Sequence, residues 1–314
     1  MALDLAWNSL DRAAWEALFE AAGRTALLQS WAWGEAKAAG EGWRPHRGVL
    51  TEAGTPVGLV QVLEKPIAGL ARVARLNRGP VWLVPAAPIR VVEALALIGR
   101  RWRWWRGGAL FLAPELAADQ AGALAPLGLR KRSAPAWGSA WLDLSEPAEA
   151  LRKRLDGKWR NMLVGAEKAG LAVEVSAAPA LLDWLLARYE TLMRDKAFTG
   201  TPPALIRQLA ERAWRPDDLL VLRALTPDGE AVGGILLVRH GACATYLVGW
   251  TGEDGRRFKA NNFLLWQAVT TLAERGCRWF DLGGIDEVLT PSIAAFKRGM
   301  KGEDYRLAGE YLML

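Results

Sequence analysis

Two similar stretches that lie 175 residues apart constrain the fold more than any other feature of this sequence. GTPVGLVQV occupies residues 54–62 and GEAVGGILL occupies residues 229–237. Each begins with a turn-forming glycine, continues with Val-Gly and ends in a β-forming run. The matched columns are Gly54 and Gly229, Val57 and Val232, and Gly58 and Gly233. Glycine is abundant, with 32 residues, so a chance match is the alternative interpretation.

The order of predicted elements around the two stretches also repeats, which favours two copies of one α/β unit. Helices are predicted at 11–22, 30–39, 87–106, 147–169, 179–195, 202–213 and 260–275. Strands are predicted at 218–225, 231–239, 242–249 and 277–282, after strand-like runs in the first half. The sequence therefore predicts an α/β (α+β) fold with domains at 1–145 and 146–314.

Three local features accompany these elements. The first helix is expected to bury Ala14 and Leu18 together with Ala21 or Ala22. Ser30 is the expected N-cap of the second helix. In GRRWRWWRGG (99–108), Trp102 and Trp105 are expected to pack inward while the arginines stay solvated. The alternatives for this segment are base stacking with phosphate pairing or contact with a membrane surface.

Composition lowers the expectation of metal or covalent catalysis. The 314 residues include two cysteines and two histidines, with no CxxC spacing and no GxSxG elbow. We therefore expect no metal and no disulfide framework. No apolar run reaches the length of a membrane span and the N-terminus has no basic region, so a cytoplasmic location is predicted. The formal net charge of +6 is compatible with polyanionic partners.

FDLGGID (280–286), followed by FKRG (296–299), is the main candidate site. Gly283 and Gly284 follow a short apolar strand, where the backbone can turn sharply or approach a ligand closely. Thr290 and Pro291 are a good helix start, which places Lys297 on a helix of about two turns. Ligand sites of α/β folds lie outside strand ends. The alternative is an ordinary strand–turn–helix connection with a solvated lysine.

Two further basic stretches could bind anions. Residues 151–170 predict a positively charged helix that could contact tRNA phosphates or a nucleotide diphosphate, or could be a solvated face. Residues 254–269 form a loop that enters a helix, with Arg256, Arg257 and Lys259 beside the helix N-terminus. The glycine pattern of a pyrophosphate loop is absent there, so coenzyme A binding is possible without being indicated.

Several motifs together resemble the FemABX family of peptidoglycan-bridge aminoacyltransferases. They are LLQSWAWGEAKAAG (27–40), RGPVW (78–82), KWRNMLVGAEKAGLAVEV (158–175), RDKAFTG (194–200), KANNFLLWQAV (259–269), FDLGGID (280–286) and FKRGMKG (296–302). Their order and spacing carry the resemblance, which spans nearly the whole chain. It implies two tandem GNAT-like acyltransferase domains. No charged, heptad-rich insertion is present, so no coiled-coil arm is expected.

The resemblance also implies a reaction. Members of this family transfer an amino acid from aminoacyl-tRNA to a side-chain amine of the peptidoglycan stem peptide. The acceptor is UDP-MurNAc-pentapeptide or lipid II, and peripheral contact with the membrane surface is possible. The expected co-substrate is aminoacyl-tRNA, with no further cofactor. Attack of an amine on an activated ester needs a deprotonated amine, oxyanion stabilisation and positioning.

Site residues follow from matched motif positions. Lys37 in WGEAK and Arg194 in MRDKAF match residues that hold the acceptor's phosphates, and Lys297 matches the lysine that binds the tRNA end or supports the transition state. Asp281 and Glu310 are the acidic candidates at the catalytic centre. The remaining predicted substrate-binding residues are Phe296, Gly283, Gly284, Asp286, Arg257 and Tyr246.

The sequence departs from the FemABX pattern at one position, and two alternative functions stay open. Ala113 in FLAPE stands where family members often carry an acidic residue, which removes any role tied to that acid. An acyl-CoA-dependent N-acyltransferase of a polysaccharide or exported polymer would use the same fold. A non-catalytic homologue that binds tRNA or a cell-wall precursor would use it as well.

Overall fold

The computed structural model describes residues 2–67, 69 and 71–314. Its strands are β1 (Leu3–Trp7), β2 (Arg44–Glu52), β3 (Thr55–Ile67), β4 (Ala71–Gly79), β5 (Val81–Trp82), β6 (Gly108–Pro114), β7 (Arg130–Lys131), β8 (Gly138–Asp143), β9 (Ala172–Ser176), β10 (Leu219–Leu225), β11 (Ala231–His240), β12 (Cys243–Thr251), β13 (Trp279–Asp281), β14 (Glu303–Arg306) and β15 (Tyr311–Met313).

Ten α-helices are present among these residues. They are α1 (Arg12–Ala21), α2 (Trp31–Glu41), α3 (Pro88–Gly99), α4 (Ala148–Arg154), α5 (Gly157–Lys168), α6 (Pro179–Asp195), α7 (Pro203–Glu211), α8 (Glu253–Arg257), α9 (Ala260–Glu274) and α10 (Pro291–Arg298). None of the described helices is both long enough and apolar enough to cross a bilayer.

The strands form two sheets. The first has the order β1-β2-β3-β4-β6-β15-β7, with β5 beside β3, and the second has the order β14-β8-β13-β12-β11-β10-β9. The first sheet contains the parallel neighbour pair β4 with β6, and the second contains the parallel neighbour pair β12 with β13. The mixed α/β fold confirms the predicted fold class.

By contacts, the chain divides into two compact units that are not continuous segments. Unit 1 comprises residues 1–138, 240–242 and 305–314, and unit 2 comprises residues 139–239 and 243–304. The last strand, β15, therefore belongs with the first sheet, where it pairs with β6 and β7. The domain limits of 1–145 and 146–314 concern the repeated sequence unit, and they stay a prediction.

The repeated stretches occupy equivalent hairpins in the two units. In β2–β3, the register shifts between Leu50 and Thr51, so that one extra residue of the β3 strand is accommodated. In β10–β11, the same shift occurs between Ala224 and Leu225. The turn glycines Gly54 and Gly229 have φ of 82° and 85°. A shared β-bulge beside a shared left-handed turn is a specific feature, and it supports a duplicated unit over a chance match.

Each unit has its own core. In unit 1, one cluster centres on strands β3, β4 and β6 and includes the fully buried Trp102, and a second contains Trp15 and Phe19. In unit 2, a single large cluster joins β8, β10, β11 and β13 to α5 and α9, with Phe280 and Leu264 fully buried. The end of β13, where the candidate site begins, is thus anchored in a packed core.

Most predicted helices and strands are present, and three predictions need correction. Helix α6 has the predicted limits, and the Ser30 hydroxyl accepts the Trp33 N–H as the predicted N-cap. On α1, Ala22 is buried as predicted, but Ala14 is exposed and Leu18 is only half-buried, because Trp15 and Phe19 take the core positions.

The segments 87–106 and 147–169 are not single helices. The first ends as α3 at Gly99 and continues in short 3₁₀ turns; Trp102 is buried, but Trp105 is exposed. The second breaks at Leu155–Asp156, because the Asp156 carboxylate caps a new helix by accepting the Lys158 and Trp159 N–H groups. Local capping thus divides a segment that hydrophobic periodicity predicts to be one continuous helix.

Candidate functional site

Pairing of the parallel strands in unit 2 stops at the candidate site. Pairing of β12 with β13 covers three residue pairs and ends at Thr245 and Asp281. The corresponding pair in unit 1, β4 with β6, stays paired over seven positions up to Gly79 and Pro114. Of these two parallel pairs, the one in unit 2 is the shorter, and the chain turns away from the sheet directly after it.

The turn after β13 is held by buried polar side chains. Ser139, on β8, donates its hydroxyl to the Asp281 carboxylate and also lies 2.8 Å from the Gly283 carbonyl. Asp281 accepts the Gly283 N–H at 2.9 Å. Both side chains are almost fully buried, at 2% and 3% exposure. A satisfied buried network of this kind fixes the path of the Gly283–Gly284 backbone.

Gly283 is required at its position by geometry. Its φ is +71°, and a Cβ there would lie 2.5 Å from the Tyr246 carbonyl oxygen on β12. A left-handed backbone in such close contact accepts no side chain. The glycine turn predicted from FDLGGID therefore brings the end of β13 against β12.

Lys297 points into this turn because of how α10 packs. Phe296 stacks on Trp159 of α5, with ring centroids 6.0 Å apart and an interplanar angle of 26°. The Gly299 carbonyl accepts the Asp156 N–H at 2.9 Å, which ties the end of α10 to the start of α5. With Phe296 held on that side, the next residue faces the interior. Lys297 is only 7% exposed, so the alternative of a solvated lysine is wrong.

The ammonium of Lys297 lies among neutral acceptors and an aromatic face. Its Nζ donates to the Gly284 carbonyl at 2.8 Å and lies 5.1 Å from the centroid of the Tyr246 ring. Burial lowers the pKa of Lys297 to about 8, and the charge of Asp281 opposes this by raising it. At neutral pH the group is thus a cation that gives up its proton far more easily than an ordinary lysine.

Two tyrosines extend the site from Lys297 toward α6. The Tyr246 ring is half-buried by area, but its hydroxyl occupies the space that a Gly249 Cβ would take. Burial of that hydroxyl, with a smaller contribution from neighbouring Tyr189, raises the pKa of Tyr246 to about 12. Tyr189 in turn meets Phe198 edge to face, with centroids 6.1 Å apart. Both phenols are therefore neutral hydrogen-bonding groups at working pH.

A basic groove runs along α5 in the same unit. One section, with a volume of about 550 Å³, is lined by residues of α5 and by Arg257, Phe258 and Lys259. The next section, with a volume of about 520 Å³, is lined by α5 and by residues of α10, including Phe296 and Arg298. Lys158 and Met162 line both sections. This groove can accept an extended anionic ligand.

The other predicted site residues are placed as follows. In unit 1, Lys37 Nζ lies 2.5 Å from the Glu41 carboxylate, and Glu310 pairs with Arg132 Nε at 3.0 Å. In unit 2, Arg194 is highly exposed at the end of α6. Asp286 accepts the N–H groups of residues 288 and 289, which makes it a turn-capping residue. The structure thus brings Lys297, Asp281, Gly283, Gly284 and Tyr246 together.

Three residues at this site were missed by sequence reasoning. Ser139 lies far from FDLGGID in the sequence, and nothing nearby marks it. Tyr189 lies inside the regular helix α6 and carries no motif. Trp159 was inside a quoted motif, but its stacking role on Phe296 could be found only from the fold.

Comparison with known proteins supports the tandem fold. Residues 150–298 match the family described as acetyltransferase (GNAT) domain. The crystal structure of FemX superposes with a TM-score of 0.82 at 15% identity, covering 98% of this chain and 97% of FemX. A tandem GNAT protein from the clavulanic acid biosynthesis pathway superposes with a TM-score of 0.54 at 13% identity, covering 98% of both chains.

A curated relative shows similarity at the sequence level. The lipid II:glycine glycyltransferase of Staphylococcus haemolyticus (strain JCSC1435) is 33% identical over 72 residues, which is 23% of this chain and 17% of that protein. The matched part is thus a small fraction of the relative. Together, these comparisons show a fold of two tandem GNAT-like domains, similar to that of FemX.

Proposed function

We propose that the protein is an aminoacyl-tRNA-dependent transferase that adds an amino acid to the side-chain amine of a peptidoglycan stem peptide. The acceptor is a precursor carried as UDP-MurNAc-pentapeptide or as lipid II. Similarity to a lipid II:glycine glycyltransferase and to FemX supports this class of acceptor. Aminoacyl-tRNA is the donor typical of the family, and the chain would need no additional cofactor.

The observation that carries the proposal is the placement of the Lys297 ammonium. It lies buried beside the turn that follows β13, within hydrogen-bond distance of the Gly284 carbonyl. Aminolysis of an ester needs neither a Ser–His pair nor a cysteine nucleophile. A buried cation at a strand end provides what the reaction does need, which is stabilisation of negative charge in a water-poor site.

The chemistry balances without a covalent enzyme intermediate. The neutral acceptor amine attacks the ester carbonyl carbon, a C–N bond forms, and the carbonyl oxygen becomes an oxyanion. The C–O bond to the tRNA ribose then breaks, the amine nitrogen loses a proton and the leaving oxygen gains one. We assign Lys297 to the oxyanion or to the adjacent tRNA end, and Asp281 to positioning the turn.

The remaining predicted contacts belong to the substrates. Lys37 and Arg194 remain our candidates for acceptor phosphates, and Arg257 for an anion in the groove along α5. Glu310 is the candidate acidic residue of unit 1. Substitution tests the Lys37 and Arg194 assignments, since loss of a phosphate contact should raise KM for the acceptor while leaving kcat nearly unchanged.

Acyl-CoA-dependent N-acyl transfer is the second candidate. It is favoured by the GNAT match over residues 150–298 and by the cations Arg257 and Lys259 at the groove next to the start of α9. Both reactions acylate an amine, so they differ in the donor. Tight binding of acetyl-CoA, measured by calorimetry, would favour this second function.

The decisive experiment is a transfer assay with mass detection. Purified protein is incubated with bulk aminoacylated tRNA and with UDP-MurNAc-pentapeptide or lipid II that carries lysine, ornithine or diaminopimelate. The expected product is heavier by one amino-acid residue, and prior ribonuclease treatment of the donor abolishes it. No mass gain with any acceptor, together with transfer from acetyl-CoA, would replace the proposed function with the second candidate.

A further inference from the structure

A turn in unit 1 exposes two tryptophans next to each other. Trp104 and Trp105 are 66% and 61% exposed, although both are large apolar side chains. They lie in a 3₁₀ turn between α3 and β6, held by hydrogen bonds from the Arg106, Gly107 and Gly108 N–H groups to the carbonyls of residues 103 and 104. The exposed rings are therefore presented by an ordered turn.

The base of this turn is anchored in the core. Trp102 is completely buried, and its indole N–H donates to the Glu64 carboxylate at 2.7 Å. The Arg72 side chain donates to the Arg106 carbonyl at 3.2 Å, and the Arg72 N–H donates to the Gly107 carbonyl at 2.7 Å. Packing within unit 1 thus accounts for Trp102 but leaves Trp104 and Trp105 without an internal role.

The same turn is strongly basic. Between Glu93 and Glu115 the sequence contains four arginines and no acidic residue. Three of the four, Arg100, Arg103 and Arg106, have no carboxylate partner among the described residues. The Arg103 guanidinium lies 5.5 Å from the centre of the Trp105 ring. Uncompensated cations interleaved with exposed indoles point to an anionic partner.

An exposed aliphatic residue lies at the same end of the sheet. Ile67, the last residue of β3, is 51% exposed. It pairs with Ala71 at the start of β4, and Arg72 then pairs with Gly108 at the start of β6. The end of β3 and the tryptophan turn therefore lie at the same end of the first sheet. We call Ile67, Arg100, Arg103, Trp104, Trp105 and Arg106 the Trp-Arg edge.

We propose that the Trp-Arg edge docks unit 1 onto the surface of a membrane rich in anionic lipid. Indole rings partition into the interfacial layer, with the ring in the apolar boundary and the N–H in water. Arginines beside them pair with lipid phosphates and are attracted by the negative surface potential. Ile67 adds an aliphatic group that inserts at the same depth.

The geometry favours a bilayer over single-stranded nucleic acid. Successive bases stack on aromatic faces that line a groove. Trp104 and Trp105 are edge to face, with an interplanar angle of 87° and centroids 6.0 Å apart, so they do not present two parallel faces. An aliphatic neighbour such as Ile67 offers no stacking surface to a base, whereas it suits the acyl boundary.

This inference deepens the proposed function, because membrane docking would favour the lipid-linked acceptor over the soluble one. Its test does not depend on catalysis. The full chain is sedimented with phosphatidylcholine vesicles and with vesicles that contain about 30% phosphatidylglycerol, at low and at physiological salt. Trp104→Ala/Trp105→Ala and Arg103→Ala/Arg106→Ala are compared with wild type. The matched control is Trp214→Ala/Lys168→Ala, which removes an exposed tryptophan and an exposed lysine elsewhere.

We expect wild type and control to bind the anionic vesicles and to bind neutral vesicles much more weakly. Loss of both arginines should weaken anionic binding about 25-fold at low salt, at about fivefold per cation. Loss of both tryptophans should weaken binding to the anionic vesicles about tenfold or more. This effect should depend less on salt than the effect of losing both arginines. If circular dichroism shows that a double variant is misfolded, the single Trp105→Ala and Arg103→Ala variants provide the same comparison.

Three results would overturn the proposal. The first is equal binding by all variants, and the second is no binding by wild type to either vesicle. The third is unchanged vesicle binding with loss of tRNA binding in a filter assay, which would reassign the Trp-Arg edge to nucleic acid. Failure of the proposed function would look different, since transfer to both UDP-MurNAc-pentapeptide and lipid II would be absent whatever the vesicle result.

Discussion

Ser139 and Asp281 are 142 positions apart in the sequence, and the Ser139 hydroxyl donates a hydrogen bond to the Asp281 carboxylate. The contact joins β8 to the end of β13, two strands that pair antiparallel through residues 141–143 and 279–281. The same carboxylate accepts the Gly283 N–H and raises the pKa of Lys297 through its charge. Asp281 therefore affects the turn by hydrogen bonding and the lysine by electrostatics.

Substitution of Asp281 by Asn should separate these two effects. Asparagine retains the shape and an oxygen that accepts the Gly283 N–H, but it removes the negative charge. The pKa of Lys297 should fall below about 8, so the alkaline limb of the kcat/KM profile should move to lower pH. Activity near pH 6.5 should stay within about threefold of wild type. A loss of about 100-fold or more across the whole pH range would instead indicate direct proton transfer by Asp281.

Substitution of Lys297 by Met should remove activity while stabilising the fold. Loss of the buried cation should lower kcat by about 10²–10³-fold. Because burial lowers the pKa of Lys297 from 10.5 to about 8, the unfolded chain binds the proton more tightly than the folded one. Keeping the charge buried at pH 7 opposes folding by about 3 kcal/mol, so the methionine variant should unfold at higher denaturant concentration.

The difference in stability between wild type and Lys297→Met should depend on pH. Wild-type stability should rise as pH increases from about 8 to 10.5, and the advantage of the variant should vanish above 10.5. Urea unfolding at pH 7, 9 and 10.5 measures it, with Lys168→Met at an exposed site as the control for loss of a lysine. Lower stability of Lys297→Met at pH 7 would show that the hydrogen bond to Gly284 outweighs the desolvation of the charge.

Gly283→Ala should be far more disruptive than Gly276→Ala. Both glycines have left-handed backbones, with φ of +71° and +76°. A Cβ at Gly276 meets no atom within 4 Å, so alanine there incurs only the backbone strain of about 1–2 kcal/mol. At Gly283 the Cβ also lies 2.5 Å from the Tyr246 carbonyl oxygen. We expect a small loss of stability for Gly276→Ala, and a larger loss of stability together with loss of transfer activity for Gly283→Ala, measured by urea unfolding and by the transfer assay. Equal effects of the two substitutions would contradict the close approach of β13 to β12.

The duplicated fold could be predicted because its signals are local. The Gly-x-x-Val-Gly pattern reports a turn and a bulge, and both are determined by residues within one hairpin. The limits of α6 and the Ser30 cap follow in the same way from helix periodicity and capping. Helix α1 shows the limit of this reasoning, since Ala14 and Leu18 matched the helical period while Trp15 and Phe19 filled the core.

The candidate site could be predicted only in part. FDLGGID identified a strand end with a sharp turn, and the FK motif identified the lysine, because both are contiguous in sequence. The burial of Lys297 depends on Trp159 and Asp156, which fix α10 from another helix. The Ser139 contact depends on strand order in the second sheet. Contacts made through tertiary packing have no signature in a single sequence.

Acid should destabilise the fold through His240. The Thr25 hydroxyl donates to the His240 carbonyl at 2.8 Å and lies 2.9 Å from His240 Nδ1. Since the hydroxyl has one proton, its oxygen accepts from Nδ1–H, which favours the neutral tautomer protonated at Nδ1. Burial, with a smaller effect of the Arg78 charge, lowers the pKa of His240 from 6.5 to about 3.

The consequence is a loss of stability as pH falls. Between pH 6.5 and about 3 the unfolded chain binds a proton at this position that the folded chain excludes, so the free energy of unfolding decreases throughout that range. His240→Gln should flatten this dependence, as judged by urea midpoints at pH 7, 5.5 and 4.5. His46→Gln, at the second of the two histidines, is the comparison. Burial also lowers the pKa of His46, but Glu64 opposes the shift, so its effect should be smaller. An unchanged slope in His240→Gln would mean that carboxylates alone determine the acid sensitivity.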